Sequence, residues 1–230
     1  GLSLRGGIGL LKGHWQLLLL VGLIAVLWQT PVVMPLKLLV VFLHELSHAV
    51  ATVLTGGSVV GMTLDPMQGG SVTSRGGWRF VILSAGYLGS LLIGVGLFLT
   101  AVRTRWDRVI LGGLGVALLA VTVLYLRSLY AIGFGVVTGV LMIGAARYLR
   151  RDVNDLVLRV IGLASMIYVP LDIFSDTIAR AHLRSDARML AEEFAGPTLF
   201  WGGAWLLVSL WVIWLCLRRG LGRSSNIAFR

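Results

Sequence analysis

Two histidines and one glutamate give this sequence its clearest chemical signature. The run His44-Glu45-Leu46-Ser47-His48 has the pattern His-Glu-x-x-His. On a helix, residues i and i+4 lie on one face about a turn apart, so both imidazoles can give a nitrogen lone pair to one zinc ion. Glu45 lies at the edge of that face, where its carboxylate can take a proton from a water molecule at the zinc. The motif therefore predicts a zinc site with its own general base.

The residues on either side of this motif are apolar, and this makes its ionisable side chains unusual. Segments 38–43 and 49–51 contain only Leu, Val, Phe and Ala. Ionisable groups at membrane depth are costly in free energy, and their presence there is by default a hypothesis of function. A structural polar cluster and a degenerate former metal site are the alternatives that the sequence leaves open.

The composition is that of an integral membrane protein. Hydrophobic residues make up 57% of the 230 residues and charged residues 13%, which is far from the balance of a soluble globular domain. Several apolar runs reach the roughly 20 residues that a helix needs to cross the hydrocarbon core, and none shows the alternating pattern of an outer-membrane barrel. We therefore expect an all-α fold, a polytopic helix bundle of six or seven spans that forms a single domain over residues 1–230. A multi-pass protein of a bacterial plasma membrane is the expected setting.

The net charge of +10 comes almost entirely from arginine. The arginines lie singly or in pairs at the ends of apolar runs, where they can reach anionic lipid headgroups. No basic stripe interleaved with aromatic residues is present, so the expected partner is the lipid bilayer and not a nucleic acid. Arginines flank nearly every run at both ends, so their distribution does not predict the orientation in the membrane. The single cysteine, Cys216, excludes an intrachain disulfide.

The apolar runs predict seven helices separated by short polar connectors. The predicted helices cover approximately residues 14–29, 35–54, 78–102, 109–126, 129–148, 156–178 and 198–217.

Two segments between these helices differ from the rest of the chain. In residues 58–75, two short β-prone runs flank a Gly- and Pro-containing turn, which predicts a β-hairpin or a re-entrant loop after the second helix. Non-helical backbone is tolerated at membrane depth only against protein or water, so we expect this segment to lie over the polar interior of the bundle. Residues 180–195 are too charged to span and have helical periodicity, which predicts an amphipathic segment at the interface.

A catalytic zinc needs a third protein ligand besides the two histidines. The acids at membrane depth in the sixth predicted helix are Asp172 and Asp176. The second and sixth helices are expected to be parallel, and Asp172 lies in the C-terminal half of its helix, as His44 and His48 do in theirs. Matching of depth therefore favours Asp172 as the third ligand, with Asp176 as the alternative or as a residue that orients a ligand.

These residues together resemble the site-2 protease group of intramembrane zinc metalloproteases. The resemblance rests on the His-Glu-x-x-His helix, on the Gly-rich hairpin after it, and on two shorter stretches. Residues 84–90, Ser-Ala-Gly-Tyr-Leu-Gly-Ser, are similar to the Ala-Gly-Pro-x-x-Asn stretch of that family, and Pro170-Leu171-Asp172 looks like its Pro-Leu-Asp-Gly ligand motif. The segment after Asp172, with Ser185-Asp186-Ala187 beyond it, looks more like a divergent branch of the family.

The resemblance implies that one Zn²⁺ per chain is held by His44, His48 and Asp172, with Glu45 as the general base. The expected activity is that of a zinc metalloprotease that hydrolyses peptide bonds in or near membrane-spanning segments, so the expected partner is a membrane-protein substrate. Two alternatives remain open from the sequence. One is a zinc hydrolase of a lipid-like substrate, and the other is a non-catalytic membrane scaffold or binding protein with a degenerate or structural zinc site. The oligomeric state is not predicted.

Overall fold

The computed structural model describes residues 4–65, 69–180 and 182–229. In these ranges the chain forms eight α-helices and one two-stranded β-hairpin. The elements are α1 (Leu4–Val26), α2 (Met34–Leu54), β1 (Ser58–Asp65), β2 (Gly69–Arg75), α3 (Arg79–Arg103), α4 (Asp107–Tyr125), α5 (Leu129–Tyr148), α6 (Arg151–Phe174), α7 (Asp186–Phe194) and α8 (Thr198–Gly220).

Seven of these helices are long and apolar enough to cross a membrane, and α7 is the exception. The predicted all-α membrane bundle of six or seven spans is thus confirmed, with seven spans in the part of the chain that the structure describes. Helix α6 runs through Pro170 to Phe174 and continues as a π-helical turn, Ser175–Ala179. Single π-helical turns are rare and are found frequently at functional sites.

The segment after α2 forms a β-hairpin, which confirms the first of the two predicted alternatives. Residues 66–68 at its tip lie outside the described residues. Strand β2 pairs antiparallel with β1. The outer edge of β1 is covered by the connection between α4 and α5, because the Arg127 amide donates a hydrogen bond of 3.1 Å to the Met62 carbonyl. Met62 and Leu64 are buried at 0% and 2% exposure, and they anchor the hairpin against the bundle.

The hydrogen bond at Met62 also fixes which backbone groups of β2 point outward. Met62 pairs with Val72, and the Met62 carbonyl points away from β2 toward Arg127. In an antiparallel ladder, two opposed residues either exchange both hydrogen bonds or direct their polar groups away from each other. The N–H and C=O of Val72 therefore point to the outer edge of β2, which pairs with no further strand among the described residues.

The predicted interfacial segment 180–195 forms a helix over only part of its length. Helix α7 begins at Asp186, because the Ser185 hydroxyl accepts a hydrogen bond of 3.2 Å from the Arg188 amide and caps the helix. The preceding residues form a non-helical connector, in which residue 181 is not described. The helical part of the segment is thus α7, Asp186–Phe194, and its serine cap sets where it begins.

Helix α7 lies against the spanning helices along its apolar face. Ala187 and Leu190 are both at 0% exposure. Phe194 packs edge-to-face on Phe80 of α3, with ring centroids 5.7 Å apart. The packing fixes the start of α7, and the residue at that start, relative to α2 and α3.

Small residues allow α3 and α6 to approach closely. A methyl group added to Gly94 would lie 2.3 Å from Ser165 Cβ, and one added to Gly162 would lie 2.7 Å from the Gly94 carbonyl oxygen. Between membrane helices, such small-residue contacts provide much of the packing energy. The contact holds α6 at a fixed depth relative to α3.

We predict that Gly162→Val lowers the stability of the protein in detergent by about 1–3 kcal/mol, because the new side chain would overlap backbone atoms of α3. Gly144→Val is the matched control, since a methyl group on Gly144 meets no atom within 4 Å. Thermal unfolding followed by circular dichroism compares the two variants. Equal unfolding temperatures would contradict the packing described for α3 and α6.

Candidate metal centre

The two histidines of the motif lie on one face of α2, as their spacing predicts. Their rings are T-shaped with centroids 4.7 Å apart, and their Nε2 atoms are 3.0 Å apart. His48 is 7% exposed. Two imidazoles thus direct the same ring nitrogen toward a common point inside the bundle.

A carboxylate from α7 completes the cluster. Asp186 Oδ2 lies 2.8 Å from His44 Nε2 and 3.0 Å from His48 Nε2. Asp186 is the first residue of α7, so the docking of this helix against α3 carries the carboxylate to the two imidazoles. Among the described residues, His44, His48 and Asp186 form the one group of three or more His, Cys, Asp or Glu side chains whose ligand atoms could hold a metal ion.

The hydrogen bond made by the other ring nitrogen of His48, Nδ1, shows that this cluster suits a metal. His48 Nδ1–H donates to the Ile82 carbonyl oxygen at 2.6 Å. In a neutral imidazole the other nitrogen then carries the lone pair, so Nε2 is left as a metal ligand. Histidines that bind metals usually make such an outer hydrogen bond, which fixes both the tautomer and the ring orientation.

The distances among the three atoms also fit a metal. Two atoms that each lie about 2.0–2.1 Å from a tetrahedral zinc are about 3.3 Å apart, close to the 2.8–3.0 Å found here. Two imidazole lone pairs and a carboxylate oxygen at such distances repel one another unless a proton or a cation lies between them. Two nitrogens and one oxygen also match the His₂-carboxylate ligand set of catalytic zinc sites.

Glycine at position 86 lets the backbone of α3 enclose the cluster. A methyl group there would lie 2.5 Å from His48 Nε2 and 2.6 Å from Asp186 Oδ2. The ring of the next residue, Tyr87, packs edge-on against His44 with centroids 5.5 Å apart. Residues 84–90 thus form one wall of the centre, which gives a physical role to a stretch selected from the sequence by resemblance alone.

The charge of Asp186 is favoured by its histidine neighbours. Burial acts to raise the pKa of the Asp186 carboxyl, but the electrostatic attraction of His48 and His44 and their hydrogen bonds outweigh it and hold the pKa below its usual range. The carboxylate is therefore ionised at neutral pH, which is the form that binds a metal.

Glu45 lies beside the cluster without belonging to it. Its side chain is 6% exposed and lines the same cavity as both histidines. A methyl group on Gly70 of β2 would lie 2.8 Å from Glu45 Cγ, so the hairpin packs directly over this residue. Glu45 therefore has the position expected of a base that is next to a metal but does not bind it.

Asp172, the acid that depth matching favoured as third ligand, is not brought into the cluster. It lines the same cavity, but the group of ligand atoms contains Asp186 in its place. The alternative, Asp176, accepts a hydrogen bond of 2.6 Å from the Tyr87 hydroxyl. The structure thus brings Asp186, and not an acid of α6, to the two imidazoles, while a ligand role for Asp172 or Asp176 stays a prediction from the sequence.

The cluster opens onto a polar cavity of about 1030 Å³. One side of the cavity is the face of α2 that carries Met34, Lys37, Val41 and the two histidines, and another is strand β2. Along α2 the cavity therefore extends from Met34 to His48, with the two histidines at the C-terminal end of this lining.

A family model matches most of the chain. The model of the family described as Peptidase M50B-like matches residues 17–216, which include the whole candidate centre. No curated protein and no solved structure matches the chain.

We predict that Asp186→Asn lowers the affinity for zinc by more than about 100-fold, because an amide oxygen is a poor substitute for a ligating carboxylate. Asp172→Asn is the matched control, since it makes the same chemical change in the same cavity. Competition with a chelating dye in detergent measures both affinities. A larger loss in the Asp172 variant than in the Asp186 variant would restore α6 as the source of the third ligand.

Proposed function

Since the chain belongs to the Peptidase M50B-like family, we propose that it is a zinc-dependent endopeptidase that cleaves peptide bonds in or near membrane-spanning segments. The convergence of His44 Nε2, His48 Nε2 and Asp186 Oδ2 within 3.0 Å carries this proposal. Seven helices that are long and apolar enough to cross a membrane make the chain a multi-pass membrane protein, and this supports a substrate that is itself within the membrane.

His44, His48 and Asp186 would hold one Zn²⁺ per chain. Zinc supplies Lewis-acid chemistry in such a site, since it polarises a scissile carbonyl and lowers the pKa of water. Glu45 accepts the proton that water loses as its oxygen bonds to the carbonyl carbon. The same carboxyl group then gives this proton to the amide nitrogen as the C–N bond breaks, so the products are a carboxylic acid and an amine.

Strand β2 gives the cavity a surface suited to an extended peptide. A helix hides its amide groups in internal hydrogen bonds, so a membrane-spanning substrate must unwind locally before it is cleaved. The outward N–H and C=O of Val72 lie on the edge of β2 that lines the cavity. Addition of the unwound segment as a third strand satisfies its backbone groups and holds it beside Glu45. This edge favours a peptide over a lipid-like substrate.

We predict that Glu45→Gln lowers the rate of cleavage by at least about 10²-fold while zinc stays bound. Glutamine keeps the size of the side chain but cannot accept the proton. The assay incubates purified protein with a library of transmembrane-helix peptides in detergent micelles, identifies products by mass spectrometry and measures zinc in parallel. Glu192→Gln is the control, because that residue is exposed and pairs with Arg188. If Glu45→Gln cleaved the library at the rate of the parent, the proposed activity would be refuted.

We predict that Val72→Pro raises KM roughly three- to tenfold, because it removes one backbone hydrogen bond to the substrate. Proline is tolerated on an edge strand where the missing N–H faces outward, so the hairpin keeps its own hydrogen bonds. Val72→Ala is the control, since it shortens the side chain and keeps the N–H. Equal KM values for the two variants would contradict strand addition at β2.

A further inference from the structure

A lysine lies in the cavity in line with the metal centre and has no role in the chemistry above. Lys37 lines the cavity on the same face of α2 as His44, seven residues earlier. Among the described residues, its ammonium forms no ion pair, and it lies 4.6 Å from the centroid of the Trp28 ring. The Trp28 ring in turn lies 5.9 Å from that of Tyr168, which also lines the cavity. The ammonium thus packs on the Trp28 ring at the cavity and keeps, among the described residues, a positive charge without an ion-pair partner.

The other basic side chains of the cavity differ from Lys37 in position or in partners. Arg79 forms two hydrogen bonds to Glu193, at 3.0 and 3.2 Å. Arg180 donates to the Ser175 hydroxyl at 3.0 Å. Arg184 lies on the exposed connector before α7. Lys37 alone among these cations is on α2, the helix that carries both histidines.

The direction of β2 relative to α2 shows where Lys37 would meet a substrate. Gly70, near the start of β2, packs on Glu45. A methyl group on Gly57, just after α2, would lie 2.7 Å from the carbonyl oxygen of Arg75, at the end of β2. Strand β2 therefore runs in the same direction as α2, and Lys37 lies beyond the start of the strand.

A segment that adds to β2 in the antiparallel sense, the commoner arrangement in sheets, runs opposite to both β2 and α2. Its N-terminal part then pairs with the strand, and its C-terminal part passes Glu45 toward Lys37. Seven helical residues span about 10 Å at about 1.5 Å per residue. About three residues of extended chain cover that distance, at roughly 3.3 Å each.

We infer that Lys37 is a specificity-determining residue that binds a substrate carboxylate about three residues to the C-terminal side of the cleaved bond. The inference rests on the proposed function. The carboxylate comes from an Asp or Glu side chain, or from the C-terminus of the substrate. An ammonium partly screened from water by an aromatic ring gains most from a partner of full opposite charge.

The test uses the cleavage profile of the peptide library, read by mass spectrometry at each position around the cut. The parent protein is expected to favour Asp or Glu about five- to tenfold at the third residue after the cut. Peptides that end at that position report the free carboxylate separately from the acidic side chains. Lys37→Met should abolish the preference, and Lys37→Glu should invert it in favour of Lys or Arg.

Lys12→Met is the matched control, because Lys12 is the other lysine of the chain and is not among the residues that line the cavity. A profile without acidic preference on the C-terminal side, or one unchanged in Lys37→Met, would overturn the inference while the proposed protease activity stands. If the parent protein cleaved no peptide of the library, the result would instead count against the proposed function.

A binding measurement keeps the inference testable without turnover. Two peptide hydroxamates are titrated into the zinc-loaded protein. They differ only by Glu or Gln at the third residue on the C-terminal side of the hydroxamate. The Glu compound should bind about five- to tenfold more tightly to the parent and equally to Lys37→Met. Equal affinities for the parent would overturn the inference by themselves.

Discussion

The structure depends on the close approach of two imidazole nitrogens and one carboxylate oxygen in an apolar bundle. These atoms lie 2.8–3.0 Å from one another. Burial of an unmatched carboxylate costs several kcal/mol, so the arrangement is stable only with positive charge at its centre. Protonated imidazole can supply that charge, and a divalent cation supplies it with a better match to the three ligand atoms. The same electrostatic requirement explains why an acid from outside the spanning helices is drawn into the bundle.

Two packing features allow this approach. Because Gly86 has no side chain, the backbone of α3 can lie against the ligand atoms. The Ile82 carbonyl of the same helix orients His48. On the other side, the apolar face of α7 packs on the bundle through Ala187 and Leu190. The candidate metal centre is therefore shared by α2, α3 and the short helix α7. Its assembly depends on the docking of α7 as much as on the motif in α2.

The sequence predicts the spanning helices and two of the three side chains of the candidate centre because those features are local. Hydrophobic length predicts six or seven spans, and the spacing of His44, Glu45 and His48 within one helix predicts their common face. The hairpin follows from β-prone runs around a Gly-rich turn. Each of these inferences needs only contiguous residues.

The position of Asp186 beside the two histidines could not be predicted in the same way, because it depends on how distant segments pack. Matching of depth favoured Asp172, on the assumption that the ligand belongs to a spanning helix. A local signal at Asp186 was nevertheless present: a serine cap precedes it, and the apolar residues Ala187 and Leu190 follow at helical spacing. Such a pattern indicates a helix that begins at the acid and docks by one face, which is how the carboxylate reaches the histidines.

The most direct test of the account is the position of zinc in crystals of the protein, located by anomalous scattering at the zinc absorption edge. The account predicts one ion per chain, about 2.0–2.2 Å from the Nε2 atoms of His44 and His48 and from the Asp186 carboxylate. An ion bound through Asp172 with Asp186 turned away, or a cavity that takes up no zinc, would contradict it.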